Sequence, residues 1–147
     1  MAVDNQSLDA AARRIGDRWI LRIVGALLDA DRTFGELSAD VDGIAPTILT
    51  ARLRTLQRLG LVVAEPYERR PPRMRYALTQ SGRDLATAIA SLAAWGAVHE
   101  GRRSSQVHGT CGTPVEPRLW CPTCERVVGE QHGPHQHDDD VDELVWC

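Results

Sequence analysis

Apolar positions recur with a period near 3.6 along most of this chain. Between residues 61 and 79 they give way to a β-branched run and then an alternating one. The clearest helical stretch is residues 43–60. Leu49, Leu53 and Leu56 form its buried stripe, and Thr47, Thr50, Ala51, Arg54 and Arg58 fall on the opposite face. Pro46 suits the first helical position, where its missing N–H has no partner and its φ is already helical. Gly60 stands where a left-handed residue would stop the helix. Upstream, Ser7 opens a short helix to Arg14 as its N-cap, and Gly16 breaks it. A second helix runs from about Asp17, its N-cap, to Asp29. Trp19, Ile23, Ala26 and Leu27 share one face of it, Ile20, Val24 and Leu28 widen that face, and Trp19 reads as a core anchor. Residues 29–32 read as a turn. Thr33 and Glu36 have capping-box spacing and open a third helix through Leu37 and Val41.

Residues 61–65 predict a strand and residues 74–79 the returning strand. Residues 67–73 between them read as a loop, because two prolines do not sit in a central strand. Residues 81–99 predict one long helix. It is apolar over much of its surface, so it needs a partner: a second copy of the chain, together with the first helix, or its own domain.

Two helices joined by a tight Asp42-Gly43 turn, followed by a hairpin, form a helix-turn-helix with a wing. The exposed face of residues 47–58 has what a helix entering a major groove needs: short side chains, hydroxyls and arginine. Thr47, Thr50 and Arg54 are candidates for the groove, and Arg52 and Arg58 for the DNA backbone. Arg69, Arg70, Arg73 and Arg75 around the hairpin tip are candidates for the flanking minor groove or phosphates. An ordinary amphipathic helix and a solvated loop are the bland alternatives.

Charge distribution favours the nucleic-acid reading over the total. The 147-residue chain has a net charge of −3, but residues 52–83 hold 8 arginines against 2 acids. Residues 104–147 hold 2 against 8. At 43% hydrophobic residues, the chain can build a core. No apolar run approaches the roughly 18–20 residues that span a bilayer, and residues 1–9 lack a signal-peptide core. The expectation is a cytoplasmic protein with no membrane partner. No carboxylate pair or nucleophile–base motif points to an enzyme.

In this order, the motifs resemble the HxlR family of winged-helix transcription regulators. Ile15-Gly16-Asp17-Arg18-Trp19 is similar to its IGGKW opening, and Phe34-Gly35-Glu36-Leu37 to its F-[SG]-E-L. Gly43-Ile44-Ala45-Pro46, followed by Leu49-Thr50-Ala51-Arg52-Leu53-Arg54-Thr55-Leu56, resembles its recognition helix. Gly60-Leu61-Val62, the 71–76 wing and Leu78-Thr79-Gln80-Ser81-Gly82-Arg83 continue the likeness, over roughly residues 12–99. The resemblance implies a dimeric regulator that binds double-stranded DNA, related in architecture to the MarR group. Ala45 stands where the family has Ser, which costs a helix N-cap hydroxyl worth about 1 kcal/mol. Some family members sense oxidants or aldehydes through a cysteine near the N-terminus. This chain has no cysteine before Cys111, so that mechanism does not carry over.

Beyond a polar linker come His108, Cys111, Cys121 and Cys124, spaced H-x2-C-x9-C-x2-C. Cys121-Pro122-Thr123-Cys124 reads as a zinc knuckle, and thiolate with imidazole selects Zn²⁺ over Mg²⁺ or Ca²⁺. Metal would substitute for a core in so small and polar a segment. A disulfide and free thiols are the competing accounts. Cys147, His132, His135 or His137 could replace His108 as the fourth ligand. The acidic 131–147 stretch reads as a solvated tail.

The expected fold is mainly α with a β-hairpin wing (α+β), a winged helix-turn-helix plus a small zinc-ribbon-like module. The expected boundaries are 1–103 for DNA binding and dimerisation, 104–130 for structural zinc and 131–147 for the tail. The expected function is a sequence-specific transcriptional regulator acting as a homodimer, with a small-molecule effector as an open partner class. One alternative makes the C-terminal cysteines a metal or redox sensor. Another makes the chain a protein-interaction adaptor that has lost DNA binding. Operator, effector and direction of regulation are not encoded in any motif.

Overall fold

The stripe predicted for residues 49, 53 and 56 is the centre of the core. In the computed structural model, which describes residues 3–69, 72–102, 107–108, 110–113, 115 and 117–128, these three leucines are among the most deeply buried side chains. Around them pack Ile20, Ile23, Val24 and Leu27 from one helix, Leu37, Val41 and Ile44 from the next turn of chain, and Leu61, Val62 and Leu78 from the base of a hairpin. The chain divides into two compact units, Met1–Pro117 and Arg118–Cys147.

The first unit runs α1 (Asn5–Ile15), α2 (Arg18–Asp29), β1 (Arg32–Thr33), α3 (Phe34–Asp40), α4 (Pro46–Arg58), β2 (Val62–Arg69), β3 (Pro72–Leu78), α5 (Gln80–Arg83) and α6 (Ala86–His99). The local signals explain most boundaries. Asp17 caps α2 by accepting the N–H groups of Trp19 and Ile20 at 2.9 and 3.2 Å. Thr33 and Glu36 close the capping box on α3. Pro46 begins α4, and Gly60 at φ +70° ends it in the left-handed region that glycine enters without cost. Ala45 at the N-cap makes no side-chain bond.

Four expectations need correction. The first helix starts at Asn5 and is capped by Asp4, whose carboxylate accepts the Gln6 N–H and the Ser7 hydroxyl. Ser7 therefore serves the cap from inside the helix. The hairpin is longer than its prolines suggested, with Pro66, Tyr67 and Glu68 inside β2 and Arg73 inside β3. The sheet order is β1-β3-β2, so β2 is an edge strand. There Pro66 need donate no ladder bond on its open side, a bulge between Pro66 and Glu68 absorbs the irregularity, and Pro72 is the first residue of β3. Arg32 and Thr33, read as turn and cap, also form β1 against Tyr76 and Arg75. Finally, the long C-terminal helix is two helices.

That last break has a visible cause. Thr79 donates its N–H to Leu61 O and its hydroxyl to Gly60 O, while Arg83 donates to Leu78 O. These bonds pin α5 to the foot of the wing. Gly82 lies so close to β2 that a Cβ there would sit 2.2 Å from the Leu61 carbonyl oxygen. Beyond Asp84 and Leu85 the chain turns to run along α2, bringing Ile89 within contact of Gly25.

The second unit contains a small antiparallel hairpin, β4 (Trp120–Cys121) paired with β5 (Arg126–Val127). Among the described residues no helix is long and apolar enough to cross a membrane.

Candidate nucleic-acid interface

Helix α4 turns its leucines into the core, which leaves a small, polar and cationic face to solvent. Thr47, Ala51, Arg54 and Arg58 are exposed, and Thr50 is half-buried. The Thr50 hydroxyl donates to Pro46 O at 2.9 Å, which fixes its rotamer and leaves its lone pairs outward. Thr55 does the same to Ala51 O at 3.1 Å, and its oxygen in turn accepts Nη2 of Arg58 at 3.1 Å. Arg54 makes no hydrogen bond or ion pair among the described residues. Its charge is free for a partner.

Arg52 is engaged differently. Its Nη2 lies 2.9 Å from Oδ2 of Asp17, with both side chains about one-third exposed. Arg52 holds the Asp17 carboxyl below its ordinary value; burial works against this and the capped N–H groups reinforce it. The Asp17 N-cap was readable from its neighbours, but its partner 35 residues later was not. Two further features escaped sequence reading. Arg22 donates to the carbonyl of Asp42 in the turn before α4 at 2.8 Å. The guanidiniums of Arg18 and Arg22 also lie over the Trp19 ring, so Trp19 is a half-buried platform at the core's edge.

The wing carries its charge beside an aromatic ring. Arg75 lies 5.4 Å from the ring centre of Tyr67, and Arg73 pairs with Glu68 at 3.4 Å. The side chain of Arg69 and the whole of Arg70 lie outside the described residues. The α4 face and the wing belong to one unit and are joined through Gly60 and Leu61.

The predicted metal ligands fall in both units. In the first, His108 and Cys111 share a tight turn. Gly112 N–H donates to His108 O at 2.7 Å, His108 N–H donates to Thr113 O at 2.8 Å, and the His108 Nδ1 lies 3.2 Å from the Cys111 sulfur. The Thr113 hydroxyl and backbone, with the His108 ring, lower the Cys111 thiol to about 7. In the second, Cys121 and Cys124 flank the turn of the β4–β5 hairpin. The Cys124 backbone and thiol, followed by the Thr123 N–H, stabilise the Cys121 thiolate, and Cys121 pushes the Cys124 thiol up. Glu125, at φ 50°, takes the left-handed step that closes this turn. Among the described residues, neither unit by itself gathers three His, Cys, Asp or Glu side chains around one point. His132, His135, His137 and Cys147 lie outside the described residues.

Residues 14–104 match the model of the HxlR-like helix-turn-helix family. An uncharacterised helix-turn-helix transcriptional regulator of Mycobacterium tuberculosis is 38% identical over 125 residues, covering 82% of this chain and 78% of its own length. Among solved structures, a candidate MarR-family regulator from Enterococcus faecalis is 36% identical, with a TM-score of 0.58 over 69% of this chain and 93% of that one. A candidate transcription factor from Pseudomonas aeruginosa is 32% identical, with a TM-score of 0.62 over 88% and 93%. The redox regulator HypR in its reduced form is 28% identical, with a TM-score of 0.61 over 64% and 93%.

Proposed function

The chain belongs to the HxlR-like helix-turn-helix family, and from that membership we propose that it is a sequence-specific regulator of transcription that binds double-stranded DNA as a homodimer. The observation that carries this reading is the exposed Thr/Arg face of α4 beside an arginine-bearing wing. Thr47, Thr50 and Arg54 read base edges in the major groove. Arg58, Arg73 and Arg75 hold phosphates, joined by Arg69 and Arg70 at the wing tip. Arg73 exchanges its exposed ion pair with Glu68 for a phosphate when DNA binds. No acidic residue interrupts residues 47–58, which speaks against an adaptor that has abandoned DNA.

The homodimer is supported by α1 and α6. Neither helix has a buried residue, and Leu92, Trp95 and Val98 of α6 are 54%, 63% and 69% exposed. An apolar helix this open is stabilised by a second copy, which would also bring two α4 helices to half-sites about one helical turn apart.

A second reading concerns the cysteines. The backbone N–H groups directed at Cys121 are the environment of a zinc knuckle. The Cys121–Cys124 thiol pair has the donor chemistry for Zn²⁺, as have His108 and Cys111 within the first unit, and a bound metal would supply structure to a segment with little core. The likeness to a redox regulator leaves thiol sensing as the other use of the same residues.

One experiment tests both readings. The full-length chain is used to select from a random duplex library, and its oligomeric state and metal content are measured on the same sample. Enrichment of an inverted-repeat motif by a dimer is the expected result. The salt slope should fall by about one unit when Arg75 is replaced by Ala. A pool with no enriched sequence would sink the DNA reading. One zinc per chain, lost in Cys121→Ser/Cys124→Ser, is expected for the knuckle, and a metal-free wild type refutes it.

A further inference from the structure

We infer that Asp17 and Arg52 are positioning residues for DNA readout, because their ion pair fixes the rotation of α4 about its own axis. The inference rests on the DNA-binding reading above. The leucine stripe holds α4 in the core, but apolar contact is non-directional and does not by itself fix rotation closely. A charge-assisted bond from a planar guanidinium is directional. Here it runs from Arg52, two residues before Arg54, to Asp17, the N-cap of α2.

Three details make this anchor stiff. Asp17 cannot swing freely, because its other oxygen holds the N–H groups of Trp19 and Ile20. Nε of Arg52 is shut off from solvent while Nη2 reaches Asp17, so the guanidinium lies against the α2 side with little room to move. The turn entering α4 is tied to the same helix, through Arg22 and the Asp42 carbonyl. Two ties from α2, one at the entry of α4 and one at its middle, define a rotation. Side-chain tips stand roughly 5–6 Å from a helix axis, so a rotation of about 10° moves them about 1 Å. That is larger than the spread of a good hydrogen bond, so Thr50 and Arg54 would miss the base edges they face.

Asp17→Asn separates the two tasks of Asp17, because Asn also caps a helix but carries no charge. The full chain, Asp17→Asn, Arg52→Gln, Arg52→Lys and the Asp17→Asn/Arg52→Gln double variant are compared. Each is titrated with the sequence selected by the wild type and with a scrambled duplex, over a range of salt, with thermal unfolding followed alongside. Both single neutral variants should lose preference for the selected sequence by roughly five- to a hundredfold, the range one bidentate Arg–base contact confers. Their salt slopes should match the wild type, and the double variant should lose no more than either single. Arg52→Lys, which keeps the cation without the fork, should retain part of the preference and carries the test if Asp17→Asn does not fold. Tighter binding by Asp17→Asn, or a salt slope lower by about one in Arg52→Gln, would mean that Arg52 grips a phosphate instead and would overturn the inference. A wild type with no sequence preference defeats the DNA reading itself.

Discussion

Leu53 and Arg54 are neighbours in sequence and opposites in the structure, and replacing each by Ala tests how α4 is oriented. Leu53 is 2% exposed and packed among the side chains of α2 and the wing base. Truncating its isobutyl side chain to methyl loses transfer free energy and leaves a cavity, at a cost of about 2–5 kcal/mol. Domains of this size are stable by only about 5–15 kcal/mol. At about 4–8 °C per kcal/mol, the melting midpoint should fall by roughly 8–40 °C. Arg54 is exposed and makes no bond among the described residues, so its loss should change stability by no more than about 0.5 kcal/mol. For DNA the order reverses. At a temperature where it is folded, Leu53→Ala should keep the sequence preference of the wild type, whereas Arg54→Ala should lose roughly five- to a hundredfold of it. Circular dichroism melts and fluorescence anisotropy on the same samples measure both. A folded Leu53→Ala beside a collapsed Arg54→Ala would reverse the assigned faces. Equal losses on every duplex for Arg54→Ala would move that side chain from bases to phosphates.

The same logic gives three smaller predictions. Ala45→Ser should supply the missing N-cap bond of α4 and raise stability by about 1 kcal/mol, read as a gain of roughly 4–8 °C in midpoint; no gain would mean that the cap is already met by solvent. Gly82→Ala sets two effects against each other. Stiffening the unfolded chain contributes about 0.4–1 kcal/mol, but a Cβ 2.2 Å from the Leu61 carbonyl must displace backbone at a cost of roughly 1–3 kcal/mol, so denaturant unfolding should show net destabilisation. The Asp17 carboxyl is held below its ordinary value in the fold, so its contribution is present above the unfolded pKa of about 3.9 and lost as pH falls through the folded value. Stability measured from pH 6 to pH 2 should therefore fall less steeply in Asp17→Asn than in the wild type, and parallel curves would remove Asp17 from the acid transition.

Local chemistry made much of this protein legible from its residues alone. Pro46 and Gly60 bound α4, Thr33 and Glu36 open α3, and Asp17 begins α2, because caps and left-handed stops depend on neighbours within a few residues. The leucine spacing of α4 settled which face is buried, and the order of motifs carried the family resemblance. What depends on distant chain was decided by the tertiary structure. The edge position of β2 admits Pro66, the first position of β3 admits Pro72, and β1 exists only because β3 lies beside it. The helix after the wing breaks at Asp84 and Leu85, where there is no glycine or proline, because α5 is bonded to the wing base and α6 must follow α2. Arg52 offers the same lesson at the candidate site. Its spacing on α4 allowed it to face DNA, and only the packing of a helix 35 residues away brought a carboxylate to its guanidinium. Periodicity and capping are short-range and are written in sequence. Pairing across the fold depends on which surfaces meet once the core has closed.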